Sequence, residues 1–362
     1  MQVRHIFVGI DLGDKNSVAR IAVDREKSER LGFVNNRRGR GRLFEEVKRR
    51  AKAGEETQVW MAYEASACGF VLCDEAGASG IPCWVLAPTK MEKSVEQRKQ
   101  KNDDRDADDV LEKLRAHVLA GNRLPTVWIP DAQTRDDREL IRRRLELADK
   151  QTQVKAQIQM LLKRYGMEKP EGLGSGWTVG YRRWLEALAE KELWGGGARQ
   201  TLESLLRQLR FIEEELERIQ KPIEELAAEP RHQPIIKELT KEKGVGLLTA
   251  MVYRTEIGYA GRFRRGRQVG KFVGLTPTSH ESGQQNDRKG HISRQGPPRL
   301  RKILCQASWS HVFHDPGAAQ LYQQLVSRNP KKKKIAIVAV MRRLAVRLWH
   351  RMRKVELEQA VA

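Results

Sequence analysis

Cysteine is scarce in this 362-residue chain: Cys68, Cys73, Cys83 and Cys305 are all there is. Four are too few for a disulfide framework, and no histidine is spaced with them as a zinc ligand would be. They read as reduced thiols in a cytoplasmic protein. No run of eighteen apolar residues occurs, which excludes a transmembrane helix and a membrane partner. The start, Met1 to Ile10, runs into a strand-like segment and does not read as a signal peptide. Acidic residues are also in short supply, with 47 Asp and Glu against 68 Lys and Arg, a formal charge of +21. That excess points to a polyanionic partner, nucleic acid first. Apolar residues make up 40% of the chain and are patterned, which argues against disorder. The length accommodates two or three domains.

The first 125 residues alternate strand and helix signals. Ile6–Ile10, Ser17–Val23, Gln58–Tyr63 and Ile81–Leu86 read as strands. Leu43–Ala53, Gly69–Ala78 and Asp103–Leu119 read as helices, which predicts an α/β domain with a mixed sheet. Residues 126–232 change character. Leu140, Leu147, Val154 and Leu161 recur every seven residues, and a stricter three-four pattern runs from Leu202 to Leu226. This predicts a coiled-coil middle, as a helical hairpin or between chains. Pro222 should kink or end the second helix. Gly172–Gly197 reads as the loop between the two. Residues 233–362 are basic and mainly helical. Lys243-Gly-Val-Gly fits equally the hairpin of a helix-hairpin-helix, whose amides would face a phosphate, and a plain turn. Five basic residues lie between Arg262 and Lys271, around two phenylalanines. A last helix opens on Lys331, Lys332 and Lys333, where the macrodipole disfavours cations unless an anion is near.

Four acids occupy informative places. Asp11 follows the first strand, and Glu64 follows the third apolar stretch. Asp103 and Asp106 sit one helical turn apart. Strand ends and a helix start can converge on one sheet edge, where such a cluster repels itself unless cations neutralise it. A site of hard oxygen ligands selects Mg²⁺ or Mn²⁺, and two such ions can clamp both oxygens of a phosphoryl transfer. Surface or capping carboxylates are the plainer reading.

Gly9-Ile-Asp11-Leu-Gly, Tyr63-Glu64-Ala and Lys101-Asn-Asp103-Asp-Arg-Asp106-Ala together resemble the DEDD signature. It belongs to insertion-sequence transposases with a RuvC-like, RNase H-type N-terminal domain. Asn102 stands where that family usually has threonine. The choice of Asp103 over Asp104 rests on the Asp-x-x-Asp-Ala spacing. The C-terminal half is similar to the family's second, serine-bearing domain through Lys243-Gly-Val-Gly, Val273-Gly-Leu-Thr-Pro-Thr-Ser-His-Glu-Ser282-Gly, Lys289-Gly-His-Ile-Ser-Arg-Gln-Gly296 and Leu300-Arg-Lys-Ile-Leu.

The resemblance implies a DNA recombinase. Asp11, Glu64, Asp103 and Asp106 would hold the metal, and Ser282 would form a covalent ester with DNA. Ser293 is the nearest rival serine. A structured non-coding RNA would choose donor and target DNA, and dimers would pair into a tetramer. Gly283 lets a substrate backbone approach, and Arg288, Lys289 and Arg294 could bind its phosphate. The location expected is cytoplasmic, on the nucleoid when DNA is bound. Two other readings stand beside it. A Holliday-junction or structure-specific nuclease would use the same acids with water as nucleophile. A non-catalytic nucleic-acid binder would leave the acids without a purpose.

Overall fold

The structure, a computed structural model, describes residues 3–51, 56–91, 103–174, 176–190, 196–279 and 289–361. The chain forms two compact units, Met1–Ile129 and Pro130–Ala362.

In the first unit β1 (Arg4–Asp11), β2 (Asn16–Val23), β3 (Glu29–Val34), β4 (Thr57–Glu64) and β5 (Cys83–Leu86) form a sheet of order β3-β2-β1-β4-β5. The first three are antiparallel; β1, β4 and β5 run parallel. The mixed α/β layer read from the sequence is therefore present. β3 escaped that reading because Glu-Arg-Leu-Gly-Phe-Val carries little apolar signal; it is an edge strand, mostly exposed. Helix α1 (Arg37–Arg49) begins six residues before its apolar stretch, because the Asn36 side chain caps it, accepting the Gly39 N–H at 2.8 Å. Helices α2 (Val71–Ala78) and α3 (Asp103–Ala120) complete the layers.

Alternation sorts the sheet's two faces. Ile6, Val8, Ile10, Met61 and Tyr63 are buried in one core with Leu43 and Val47 of α1. Phe7 and Ala62 are buried in another with Val110, Leu111 and Leu114 of α3.

The second unit opens with two 33-residue helices, α4 (Ala132–Arg164) and α6 (Gly196–Ala228). They pack antiparallel within the chain: Asp137 meets Arg231 at the base and Gln151 meets Glu213 farther out. Leu147, Val154 and Leu161 share a core with Leu202, Leu209 and Ile212. The loop expected at 172–197 contains helix α5 (Val179–Glu190), whose Tyr181, Leu185, Leu188 and Ala189 enter that same core. Four buried positions in twelve residues are too short a pattern to show as a period between glycines. Pro222 does not end α6. Ile219 before it and Ile223 and Leu226 after it pack on the neighbouring core, and that burial outweighs one lost backbone bond.

Beyond the hairpin come α7 (Gln233–Leu239), α8 (Leu247–Ile257), α9 (Gly266–Val273), the two-stranded ribbon β6 (Pro277–Ser279) and β7 (Lys289–Ile292), α10 (Pro298–His314), α11 (Pro316–Arg328) and α12 (Lys333–Val361). Tyr253 and Trp349 are fully buried at the centre, each donating to a backbone carbonyl, of Ala345 and Ala260. The last helix starts later than expected. Pro330–Lys332 form a separate 3₁₀ turn, so Lys331 and Lys332 precede α12 and Lys333 opens it.

Candidate active site

Asp11 and Glu64 are the last residues of neighbouring parallel strands. Ile10 is paired with Tyr63, so the two acids occupy the next rung together. Adjacent strands lie about 4.8 Å apart. Period-two alternation puts both acids on the face of Gly9 and Ala62, the one that α3 covers.

The approach of α3 is set by Gly9. A Cβ there would lie 2.4 Å from the Leu111 amide nitrogen and 2.5 Å from the Ala107 carbonyl oxygen. Only a glycine lets the helix backbone rest on the strand at this point. The direction of α3 follows from its flank. Asp104 pairs with Arg20 and Arg30, Asp108 accepts from Ser28 at 3.0 Å, and Arg115 donates to Glu26 in the β2–β3 turn. The helix therefore runs antiparallel to β1, from the edge that carries Asp11 toward the opposite edge.

The same contacts sort the acids of Lys101–Asp109. At about 100° per residue, Asp104 and Asp108 fall on the flank facing β2 and β3. There Arg30 Nε donates to Asp104 at 2.7 Å and Arg20 lies 3.3 Å from Asp108. Asp106 falls on the other flank, the β4 side, where Glu64 ends its strand. Asp103 is the first residue of α3, and its side chain lies outside the described residues. No sequence spacing could have revealed Arg20 and Arg30 as the partners that divide this cluster.

In the second unit Ser282 and Arg288 fall within residues 280–288, outside the described residues, as does the side chain of Lys289. The ribbon on either side is described. Glycine is obligatory at its base: Gly274 has φ +77°, and a Cβ on Gly296 would lie 1.8 Å from the Phe272 carbonyl oxygen. Arg301 ties both ends together, donating to the carbonyls of Gly296 at 2.9 Å and Val273 at 3.2 Å. Arg294 is exposed at φ +54°. Ser293, the rival serine, has a buried hydroxyl oxygen with no hydrogen-bond partner among the described residues.

The Lys243-Gly-Val-Gly corner joins α7 to α8. Gly244, at φ +80°, faces inward: a Cβ there would lie 2.6 Å from the His311 amide nitrogen on α10. The first glycine thus serves packing, while Gly246 has open space around it. His311 Nδ1 donates to the Lys243 carbonyl at 2.8 Å. Beside it Glu242, 2% exposed, meets Arg347 at 2.7 Å and Arg351 at 2.8 Å. Glu242, His311 and Asp315 bring one ligand atom each within 4.8 Å of one another. Both Glu242 oxygens already face guanidinium groups, so this is a buried ion network rather than a cage for a hard cation.

The expected phosphate contacts are unequal. Lys331, Lys332 and Lys333 are exposed. In the 262–271 run, Arg262 lies between the rings of Phe263 and Phe272, 4.4 Å from each, and burial pulls its pKa down to about 10. It is a packing residue. Arg264, Arg265, Arg267 and Lys271 are exposed.

Two family models match the chain. Residues 8–167 match one described as a transposase, the DEDD transposase of IS110 type, and residues 236–323 match one described as the transposase IS116/IS110/IS902 family. The chain thus carries transposase domains of the IS110/IS116 family of insertion sequences. The DEDD match takes in β1, β4 and α3 and continues along α4. Among curated relatives, a Sinorhizobium fredii protein named as a transposase, y4qE, is 26% identical over 96% of this chain and 88% of its own length. The transposase for insertion sequence element IS1533 of Leptospira borgpetersenii is 24% identical over 83% of each chain. That for IS1111A of Coxiella burnetii is 26% identical over 75% of this chain and 71% of its own. No helix among the described residues of this transposase is long and apolar enough to cross a membrane.

Proposed function

We propose that this transposase breaks and rejoins DNA with a carboxylate site of Asp11, Glu64, Asp103 and Asp106 and a nucleophilic Ser282. The observation that carries the reading is the shared rung of Asp11 and Glu64, at the sheet edge where α3 begins. Four carboxylates without a histidine or thiolate fit Mg²⁺ or Mn²⁺. Such an ion supplies Lewis-acid stabilisation of the charge that develops on phosphate oxygens. The chain's own part is to hold the acids in register and to present the serine. The Ser282 hydroxyl attacks phosphorus. A Ser–O–P ester forms, the bond to the leaving DNA hydroxyl breaks, and the serine proton ends on that leaving oxygen. The ester conserves the bond energy for rejoining, so strand exchange needs no ATP. Donor and target DNA are the substrates. The family likeness adds a structured guide RNA and assembly as a dimer or tetramer. The basic charge of Arg288, Lys289, Arg294 and Lys331–Lys333 makes them the chain's nucleic-acid contacts.

The test is a denaturing gel of wild type and Ser282→Ala on element-end DNA. Wild type should give a protease-sensitive protein–DNA adduct and the variant none, with recombination lost. Cleavage by Ser282→Ala at the wild-type rate without an adduct would favour the nuclease reading. An adduct that persists in Ser282→Ala and vanishes in Ser293→Ala would move the nucleophile to Ser293.

A further inference from the structure

Helix α1 carries a stripe of side chains that the carboxylate site does not use. Arg38, Arg42 and Glu45 stand on its exposed side at spacings of four and three. Together with Asn36, Arg30 and Gly32 they line a cleft of about 860 Å³ between α1 and the edge strand β3. Among the described residues Arg38 and Arg42 have no carboxylate partner, whereas Arg40, on the inner side, is held by Glu75 at 2.7 Å. Two more lining groups are already satisfied, Arg30 by Asp104 and Glu46 by Arg49 and Arg50. The first turn of α1 holds no acid, and it begins Arg37-Arg38, cations at the end where the macrodipole favours anions.

The other wall is equally open. β3 is the sheet edge, so alternate backbone groups face away from β2. At its centre Gly32 has no side chain to block approach; a Cβ there would meet only the tip of Arg30, at 3.7 Å. The lining of the cleft reaches Val18 of β2, the residue paired with Asp11. Asn35 ties the start of α1 to the turn after Asp11, its amide donating to the Lys15 carbonyl at 2.7 Å and its side chain to the Gly13 carbonyl at 2.8 Å.

We propose that this cleft holds the phosphodiester backbone of the DNA strand that reaches the carboxylate edge, with Arg38 and Arg42 as its phosphate contacts. The assignment of the strand to DNA rests on that edge being the catalytic site. Guanidinium forks match phosphate oxygens, and these two are free to do so. Four residues of helix rise about 6 Å. At about 3.4 Å of axial rise per nucleotide that is nearly two steps, so the pair reaches phosphates two nucleotides apart on one strand. Glu45 sits on the same stripe as the opposing charge.

Binding of full-length protein to a fluorescent DNA duplex, in EDTA across a salt series, tests this. Arg38→Ala with Arg42→Ala should weaken binding at each salt and lower the log–log salt slope by about 1.8, at about 0.9 per phosphate contact. Arg38→Lys with Arg42→Lys should recover most of that slope, which rules out misfolding. Glu45→Gln should tighten binding. An unchanged slope in the double alanine variant overturns the proposal, and so does a loss confined to an RNA duplex of the same sequence. Asp11→Ala, run in parallel, separates this from the catalytic reading: it should bind with the wild-type slope and fail to cleave. If it cleaves normally while the arginine effect holds, the catalytic edge falls and the phosphate cleft stands.

Discussion

Arg30 donates to Asp104 at 2.7 Å, from the edge strand to the first turn of α3, and this pair turns one of a run of acids away from the others. Asp104 and Arg30 are both more than a third exposed, so the pair contributes no more than about 1 kcal/mol. Its effect is one of direction. Asp106→Asn should therefore reduce metal-dependent DNA cleavage by about 100-fold or more, as the loss of one positioning ligand does. Asp104→Asn should stay near wild type. Cleavage rates of the two variants at saturating Mg²⁺ check this. Equal losses would remove the distinction between the flanks.

Gly9→Ala tests how α3 is seated. The new methyl group meets backbone atoms at 2.4 and 2.5 Å, which cannot rotate away. The helix must lift off β1, at a cost of about 1–3 kcal/mol. A lowered melting temperature together with lost cleavage is expected. Cleavage retained at a temperature where the variant is folded would show that α3 need not lie so close.

Glu242→Ala removes the carboxylate that Arg347 and Arg351 share. Loss of one member of a buried ion network costs about 3–5 kcal/mol. The lower end applies here, because both arginines are about a third exposed and can turn to water. Urea denaturation would measure it. A loss below about 1 kcal/mol, the range of exposed pairs, would show that the corner is not held by this network.

Acid sensitivity should appear in the long hairpin. Burial pushes the Glu213 carboxyl up, but hydrogen bonds from Arg182 and Gln151 and the charge of Lys155 outweigh it, so the net position is below the ordinary value. A depressed folded-state pKa gives stability that is present above the unfolded value of about 4.3 and is lost as pH falls through the folded value. Glu213→Gln should therefore flatten the fall in melting temperature between about pH 5 and pH 3. An equally steep fall in the variant would place the acid-labile group elsewhere.

Leu209 is 3% exposed in the core between α4 and α6. Leu209→Ala should cost about 2–5 kcal/mol. Leu209→Lys with Leu216→Lys should unfold the hairpin. A pair of lysines that changed only the oligomeric mass, with helix content intact, would mean the seam also serves between chains.

β1, β2 and β4 were legible because strands covered on both faces carry near-continuous apolar runs. The edge strand β3 was not, since most of it is solvent-exposed and Gly32 interrupts its pattern. The acids at strand ends could be picked out from spacing, but their sorting could not. Asp103, Asp104, Asp106, Asp108 and Asp109 look alike in one dimension. Only the placement of Arg20 and Arg30 across the sheet separates them. Gly244 was ambiguous for another reason: glycine for phosphate approach and glycine for helix packing leave the same letter in the sequence. Pro222 carried a true local penalty that the packing on either side of it overrode.

The hairpin of α4 and α6 behaves as a ruler. Each helix is 33 residues long, about 50 Å at 1.5 Å per residue. Its base is fixed where Asp137 meets Arg231 and His232, and α5 joins the core toward its far end. Length between those points is set by whole turns and is independent of either end's chemistry. Removing seven residues from each helix at matched heights leaves the seam in phase and shortens the span by about 10 Å. Removing them from one helix alone shifts every buried leucine beyond the cut out of step with its partner.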